Sequence, residues 1–74
     1  MPNLRDILNE IKWTKHLAKT KIWYVHRGAP DDTMIISGNE IVAIEKSFLQ
    51  TMTAAIPYHR ILKIVYDGTI IFER

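Results

Sequence analysis

The chain contains no cysteine among its 74 residues, so it can form no disulfide, no thiolate metal site and no thiol nucleophile. Absence of cysteine suits a reducing compartment, and we expect a cytoplasmic location. No apolar run approaches the roughly 18 residues that a membrane-spanning helix needs. The N-terminal sequence MPNLRDILNE also lacks the charged and hydrophobic regions of a signal peptide. These absences favour a soluble intracellular protein.

Acidic residues are missing from residues 12–27, KWTKHLAKTKIWYVHR, although the whole chain has eight against ten Lys and Arg. The basic residues of this segment alternate with Trp13, Trp23 and Tyr24. Clustered positive charge attracts polyanions, and aromatic rings within it can stack on bases. The alternative is a solvated basic surface whose aromatic rings lie in the core, and composition leaves both interpretations open.

The spacing of apolar residues predicts one helix at the N-terminus. Leu4, Ile7, Leu8 and Ile11 follow the i, i+3, i+4, i+7 pattern of an amphipathic helix that ends near residue 12 or 13. Asn3 precedes this stripe and is a suitable N-cap. The chain contains no linker or low-complexity tract, so we expect residues 1–74 to form a single domain.

The C-terminal residues 56–74, IPYHRILKIVYDGTIIFER, predict a β-hairpin. Asp67-Gly68 lies between two runs of β-branched and aromatic residues and is a preferred pair for a two-residue turn. Unbroken alternation from this turn pairs Ile64 with Ile71 and places His59 on the same face as Arg74. Apolar residues on both faces predict a hairpin that is covered on both sides.

Three further segments have strand character. Residues 21–27 and 33–37 are rich in β-formers and are separated by the turn-forming sequence GAPDD. Residues 41–52 fit either a helical stripe or two short strands, and we favour the strands because the hairpin needs partners. The expected fold class is therefore α+β, with an N-terminal helix packed on a small antiparallel sheet of about four or five strands that ends in the hairpin.

The dipeptide His-Arg occurs twice, as His26-Arg27 at the end of one predicted strand and as His59-Arg60 at the start of another. A guanidinium presents planar donors that suit phosphate, and a charged imidazole donates from both nitrogens. Histidine would also make phosphate binding depend on pH between about 5 and 8. Neighbours on a regular strand face opposite ways, so both residues of a pair reach one ligand only where the strand is irregular, as Pro57 allows.

Other interpretations of these residues are structural or catalytic. Arg60 has Glu73 nearby in the predicted hairpin as an ion-pair partner, and Arg27 has the acids of GAPDD. Two histidines, His26 and His59, could act as the general acid and base of an RNA-end phosphodiesterase or nuclease. The sequence lacks the His-x-Thr repeats of two-histidine phosphoesterases, and no histidine spacing typical of a metal site occurs. We therefore predict no enzyme activity, no metal and no cofactor.

Several segments together resemble the RNA cyclic-group end recognition domain, a family of small archaeal proteins and of modules in larger eukaryotic proteins. They are LRDILNEIKW, YVHRGAP and above all IPYHRI, followed by a glycine hairpin and a closing aromatic-acid-arginine triplet. The family pattern falls on seven positions of this chain: Trp13, Arg27, Pro57, His59, Arg60, Gly68 and Arg74. The chain departs from the pattern at Thr14, where the family usually has an acid, and in having Phe72-Glu73-Arg74 for Trp-Asp-Arg.

The resemblance implies a non-catalytic module that recognises processed RNA ends, in particular 2′,3′-cyclic phosphates, and that works beside RNA repair or processing enzymes. The residues expected to bind RNA or phosphate are His26, Arg27, His59, Arg60 and Arg74, and the candidates for base stacking are Trp13, Trp23 and Tyr58. A protein-interaction module that docks on an RNA-processing assembly through exposed aromatic residues is a further alternative. No membrane partner is expected.

Overall fold

In the part of the chain that the structure describes, one α-helix and seven strands form the fold. The computed structural model describes residues 3–14 and 16–74, without the side chains of Thr14 and Pro30. The elements are α1 (Leu4–Thr14), β1 (Thr20–Val25), β2 (Thr33–Ser37), β3 (Ile41–Ile44), β4 (Phe48–Thr51), β5 (Ala55–Pro57), β6 (Ile61–Tyr66) and β7 (Thr69–Glu73). The predicted α+β class is confirmed. Among the described residues, no helix is both long enough and apolar enough to cross a membrane.

Helix α1 begins where the sequence predicts. The side chain of Asn3 accepts a hydrogen bond from the amide of Asp6 at 2.9 Å, as an N-cap residue does. Leu4, Leu8 and Ile11 are buried along one side of the helix. The predicted amphipathic helix is therefore confirmed, and its apolar stripe enters the core.

The strands divide into two antiparallel sheets, a separation that the sequence patterns did not reveal. The first sheet has the order β2-β1-β6-β7, and the second has the order β3-β4-β5. The two strands favoured for residues 41–52 are present as β3 and β4. Helix α1 shares one core with both sheets, because Ile22 and Ile64 of the first sheet and Leu49 of the second lie in the same buried cluster.

The hairpin of β6 and β7 has the predicted turn but not the predicted register. Asp67 and Gly68 both have positive φ, at 49° and 84°, as a type I′ turn requires. The first two pairs are as expected, but Ile64 then lies opposite Phe72, so Ile71 is an extra residue in a bulge. The prediction of unbroken alternation was wrong, because each bulge resets the face on which the following side chains lie.

A second irregularity lies between β1 and β6. Trp23 pairs with Lys63 and Tyr24 pairs with Ile61, so Leu62 is an extra residue there. As a result Ile61 and Ile64 both face the core and are fully buried. The expectation that the hairpin is covered on both sides also fails, because Ile70 on the opposite face is 52% exposed.

Two short 3₁₀ turns meet at Gly38. One spans Leu17–Lys19 after α1, and the other spans Gly38–Glu40 after β2. A β-carbon built on Gly38 would lie 1.9 Å from the main-chain oxygen of Leu17. Only glycine therefore allows the two turns to approach so closely.

Candidate anion-binding cleft

An open cleft lies at the N-terminal end of α1, between the turn that joins β3 to β4 and the end of β7. Its volume is about 410 Å³. Eight of the described residues line it: Asn3, Leu4, Arg5, Lys46, Tyr58, His59, Phe72 and Arg74. Four of these side chains are cationic or can become so, and none carries a carboxylate. The lining is thus of one charge sign, with two aromatic rings among the cations.

The wall that contains Tyr58 and His59 is a 3₁₀ turn, Tyr58–Arg60, and not the start of a regular strand. Pro57 precedes the turn with a φ of −59°, and β6 begins only at Ile61. Such a turn breaks the alternation of a strand. His59 therefore enters the cleft lining and its neighbour Arg60 does not.

Arg74 holds this turn in place. Its Nε donates to the carbonyl oxygen of Ile61 at 2.7 Å, and one terminal nitrogen donates to that of Tyr58 at 3.1 Å. The guanidinium carbon lies 5.4 Å from the centre of the Phe72 ring. A guanidinium has five N–H donors, so most of its donor capacity remains for another acceptor. Arg74 is consequently a cation of fixed orientation at the side of the cleft.

Tyr58 is anchored through its hydroxyl, which donates to the carbonyl oxygen of Glu45. Burial raises the pKa of the Tyr58 phenol above its usual value, an effect that the positive charge of Arg5 opposes and the negative charge of Glu45 reinforces. The phenol is therefore neutral at physiological pH, and Tyr58 presents an uncharged ring to the cleft.

Three of the eight predicted site residues line the cleft, namely Tyr58, His59 and Arg74. The other five lie elsewhere. His26 and Arg27 follow the end of β1, where the amide of His26 donates to the carbonyl of Asp32 at 2.8 Å and closes the loop before β2. His26 is exposed, and its ring meets that of the buried Tyr24 edge to face at 6.0 Å.

The two ion pairs considered as structural alternatives do not form among the described residues. Neither Arg60 with Glu73 nor Arg27 with an acid of the GAPDD loop lies within salt-bridge distance, and both arginines are exposed. The bulge at Ile71 places Glu73 opposite Lys63 and not beside Arg60, which explains why Arg60 and Glu73 form no ion pair. Both guanidinium groups therefore remain solvated.

The two tryptophans that were stacking candidates also lie outside the cleft. Trp13 is 80% exposed near the end of α1, about 12 Å along the helix axis from Arg5. Trp23 is half-buried on the outer face of the first sheet, where the Lys63 ammonium lies 4.3 Å from its ring centre. The side chain of Thr14, where the chain departs from the family pattern, lies outside the described part.

Arg5 and Lys46 are cleft residues that the sequence patterns did not identify. Isolated cations at a helix start or in a turn occur on many surfaces, and only the fold brings these two together. One signal was available: the positive end of the helix dipole disfavours a cation in the first turn, where Arg5 lies. A residue that breaks such a local rule is a candidate for a functional role.

The described residues hold no group of three or more His, Asp or Glu placed to bind a metal ion. What the cleft offers instead is positive charge, hydrogen-bond donors and aromatic surface. Phosphate and carboxylate groups are the ligands that such a lining recognises. The fold and cleft together define a small α+β domain with a basic cleft.

Comparison with known proteins assigns this domain to a family. The model of the MJ1316 RNA cyclic group end recognition domain matches residues 1–74, and the chain belongs to that family. A UPF0248 protein of Methanococcus vannielii is 37% identical, over 96% of this chain and 90% of its own length. A UPF0248 protein of Methanopyrus kandleri is 34% identical, over 72% of this chain and 72% of its own length. No solved structure matches the chain at a significant level.

Proposed function

We propose that residues 1–74 act as one unit that binds processed RNA ends and holds the terminal phosphate, preferably a 2′,3′-cyclic phosphate, in the basic cleft. One observation carries the proposal: Arg5, Lys46, His59 and Arg74 line the cleft, and no Asp or Glu among the described residues does. The name of the family, a cyclic group end recognition domain, supports the same ligand.

The availability of the cations supports anion binding. Within residues 3–14 and 16–74, no carboxylate forms an ion pair with Arg5, Lys46 or His59. A phosphate entering the cleft therefore breaks no ion pair of the protein. Arg74 is already oriented by its two hydrogen bonds to main-chain oxygens, so little side-chain entropy is lost when its free N–H groups donate to a phosphate oxygen.

The aromatic rings favour a nucleotide over a free inorganic anion. Tyr58 and Phe72 line the same cleft as the cations. A base or ribose that lies against one of these rings would contribute about 1–3 kcal/mol beyond the phosphate contacts. A ligand that combines a terminal phosphate with a base therefore uses both parts of the lining.

Binding without catalysis is the version of this function that the geometry favours. General acid–base cleavage of an RNA phosphodiester uses two proton-transferring groups near the phosphate. His59 is the one imidazole in the cleft lining, and His26 lies beyond the end of β1. No carboxylate of the lining is available to orient the His59 ring.

The test is a titration of the protein with one single-stranded RNA that ends in a 2′,3′-cyclic phosphate, a 3′-phosphate or a 3′-hydroxyl. Both phosphate-ended forms should bind at least about tenfold more tightly than the hydroxyl form, the cyclic phosphate most tightly, and affinity should fall steeply with salt. Arg5→Gln and Lys46→Gln should each remove most of this preference. Lys12→Gln is the matched control, because Lys12 is an exposed cation outside the cleft.

Equal affinity for the three ends, or an equal effect of Lys12→Gln and Arg5→Gln, would refute the proposal. The same RNAs also test for catalysis. Prolonged incubation should leave the cyclic phosphate closed, and an opened product that disappears in the His59→Ala variant would show that the domain is an enzyme.

A further inference from the structure

The four-stranded sheet has a second face, opposite the core, that carries exposed apolar side chains. Cross-strand partners share a face of a sheet. Trp23 pairs with Ile35 and Lys63, and Val65 pairs with Lys21 and Ile70. These pairs define one surface. We call these six residues the open face. Ile35 and Ile70 are 54% and 52% exposed on either side of the half-buried Trp23.

Charge and aromatic surface are combined on the open face. Trp23 lies on the central strand β1, and Lys21 and Lys63 lie beside it on β1 and β6. A sheet surface with a tryptophan between two lysines suits a single-stranded nucleic acid, whose bases stack and whose phosphates are negative. The two lysines distinguish this surface from a purely apolar docking face, where charge would be depleted.

We infer that the open face binds the body of a single-stranded RNA, with one base stacked on Trp23 and the adjacent phosphates at Lys21 and Lys63. The inference extends the proposed function, because the RNA whose end lies in the cleft would continue over this face. It adds a second binding site, whose affinity does not depend on the chemical group at the RNA end.

The contact between Lys63 and Trp23 shows how the site would accept a base. The Lys63 ammonium lies 4.3 Å from the centre of the Trp23 ring, a cation–π contact at the surface. Such a contact is weaker than the stacking of a base on the same ring. A base would therefore displace the ammonium from the ring, and the long flexible side chain of Lys63 would move to the neighbouring phosphate.

The cleft and the open face meet at the end of β7. Phe72 pairs with Ile64 on the core side and lines the cleft, whereas the next residue, Glu73, pairs with Lys63 on the open face. An RNA strand passing from one site to the other crosses this strand end. Glu73 adds a negative charge there, so its neutralisation should strengthen binding.

The experiment uses an RNA of about eight nucleotides, within the range that small nucleic-acid-binding domains occupy, with hydroxyl groups at both ends. Binding is followed by fluorescence anisotropy of the labelled RNA. Trp23→Leu should weaken binding about tenfold, and Lys63→Gln about threefold, whereas Trp23→Phe should retain most of the affinity. Glu73→Gln should tighten binding about twofold to threefold. Trp13→Leu and Lys12→Gln are the matched controls and should have little effect.

Trp23→Leu and Lys63→Gln should weaken binding of the cyclic-phosphate form by the same factors, because the open face does not contact the end. Trp23 and Lys63 variants that bind both RNAs as tightly as the native chain would overturn the inference. So would a concentration-dependent dimer that Ile35→Ser abolishes while RNA affinity stays unchanged, since the face would then be a self-association surface. If the hydroxyl and cyclic-phosphate forms bound equally and Trp23→Leu still weakened both, end recognition would be refuted and the inference about the open face would stand.

Discussion

The two His-Arg dipeptides have the same chemistry and different surroundings. His26-Arg27 follows a regular strand, and its main chain is used to close the loop before β2. His59-Arg60 lies in a 3₁₀ turn in which the carbonyl of Tyr58 accepts a hydrogen bond from Arg74. The second pair therefore contributes a histidine to a cleft, and the first does not.

The difference shows that a motif of two residues becomes a site only where the backbone gathers other groups around it. The turn at His59 is adjacent to the end of β7, and the helix start brings Arg5 to the same place. At His26 the neighbouring ring is Tyr24, whose hydroxyl donates to the sulfur of Met34 at 3.8 Å. Three pairs of substitutions can test this comparison, beginning with the largest expected effect.

Replacement of Arg74 should affect both folding and binding. Arg74→Ala leaves the carbonyls of Tyr58 and Ile61 without their charged donor, which should lower the free energy of unfolding by about 1–3 kcal/mol. Arg27→Ala is the control and should change it by less than about 0.5 kcal/mol, because Arg27 is exposed. Urea denaturation measures both values, and equal stability of the two variants would mean that Arg74 does not hold the turn.

Replacement of the two histidines should show different effects of the two His-Arg dipeptides on RNA affinity. His59→Ala should weaken binding of cyclic-phosphate RNA about tenfold, because the variant loses an imidazole hydrogen-bonding group that lines the cleft. His26→Ala should change affinity by less than about twofold, as expected for an exposed side chain outside the cleft. Equal losses in the two variants would place both histidines at the ligand.

Replacement of Tyr58 should have the smallest effect and a distinctive pH dependence. Tyr58→Phe loses the hydrogen bond to the carbonyl of Glu45 and should destabilise the protein by about 0.5–1.5 kcal/mol at neutral pH. Burial raises the pKa of Tyr58 above its usual 10.0. A raised pKa means that the stabilisation is complete below pH 10.0 and is lost as the pH rises through the folded-state pKa.

The stability difference between the native chain and Tyr58→Phe should therefore narrow above about pH 10. Thermal denaturation from pH 7 upward measures this stability difference. Tyr66→Phe is the control, because it removes a phenol that does not line the cleft. A difference that stays constant through the alkaline range would show that the Tyr58 phenol does not titrate with folding.

Local sequence rules predicted the elements whose structure is decided by residues close together in the sequence. The helix follows from the spacing of its apolar residues and from Asn3, and the hairpin turn follows from Asp67-Gly68. These predictions succeed because capping and turn geometry are decided within a few residues.

The cleft could not be predicted in the same way, because it depends on contacts between distant segments. Bulges at Leu62 and Ile71 each change the face on which the following side chains lie. Arg5 and Lys46 are far apart in the sequence and become neighbours of the cleft only after the helix start and the β3–β4 turn come together.

The contact at Gly38 limits how the sequence of this protein can evolve or be redesigned. Every other amino acid adds at least a β-carbon, and that atom has no room beside the Leu17 carbonyl. Random mutagenesis followed by selection for folded protein should therefore tolerate no change at position 38 without compensating shifts near residue 17. In a library built on this scaffold, diversity belongs on the cleft and the open face, and this crossing of two turns must be kept as it is.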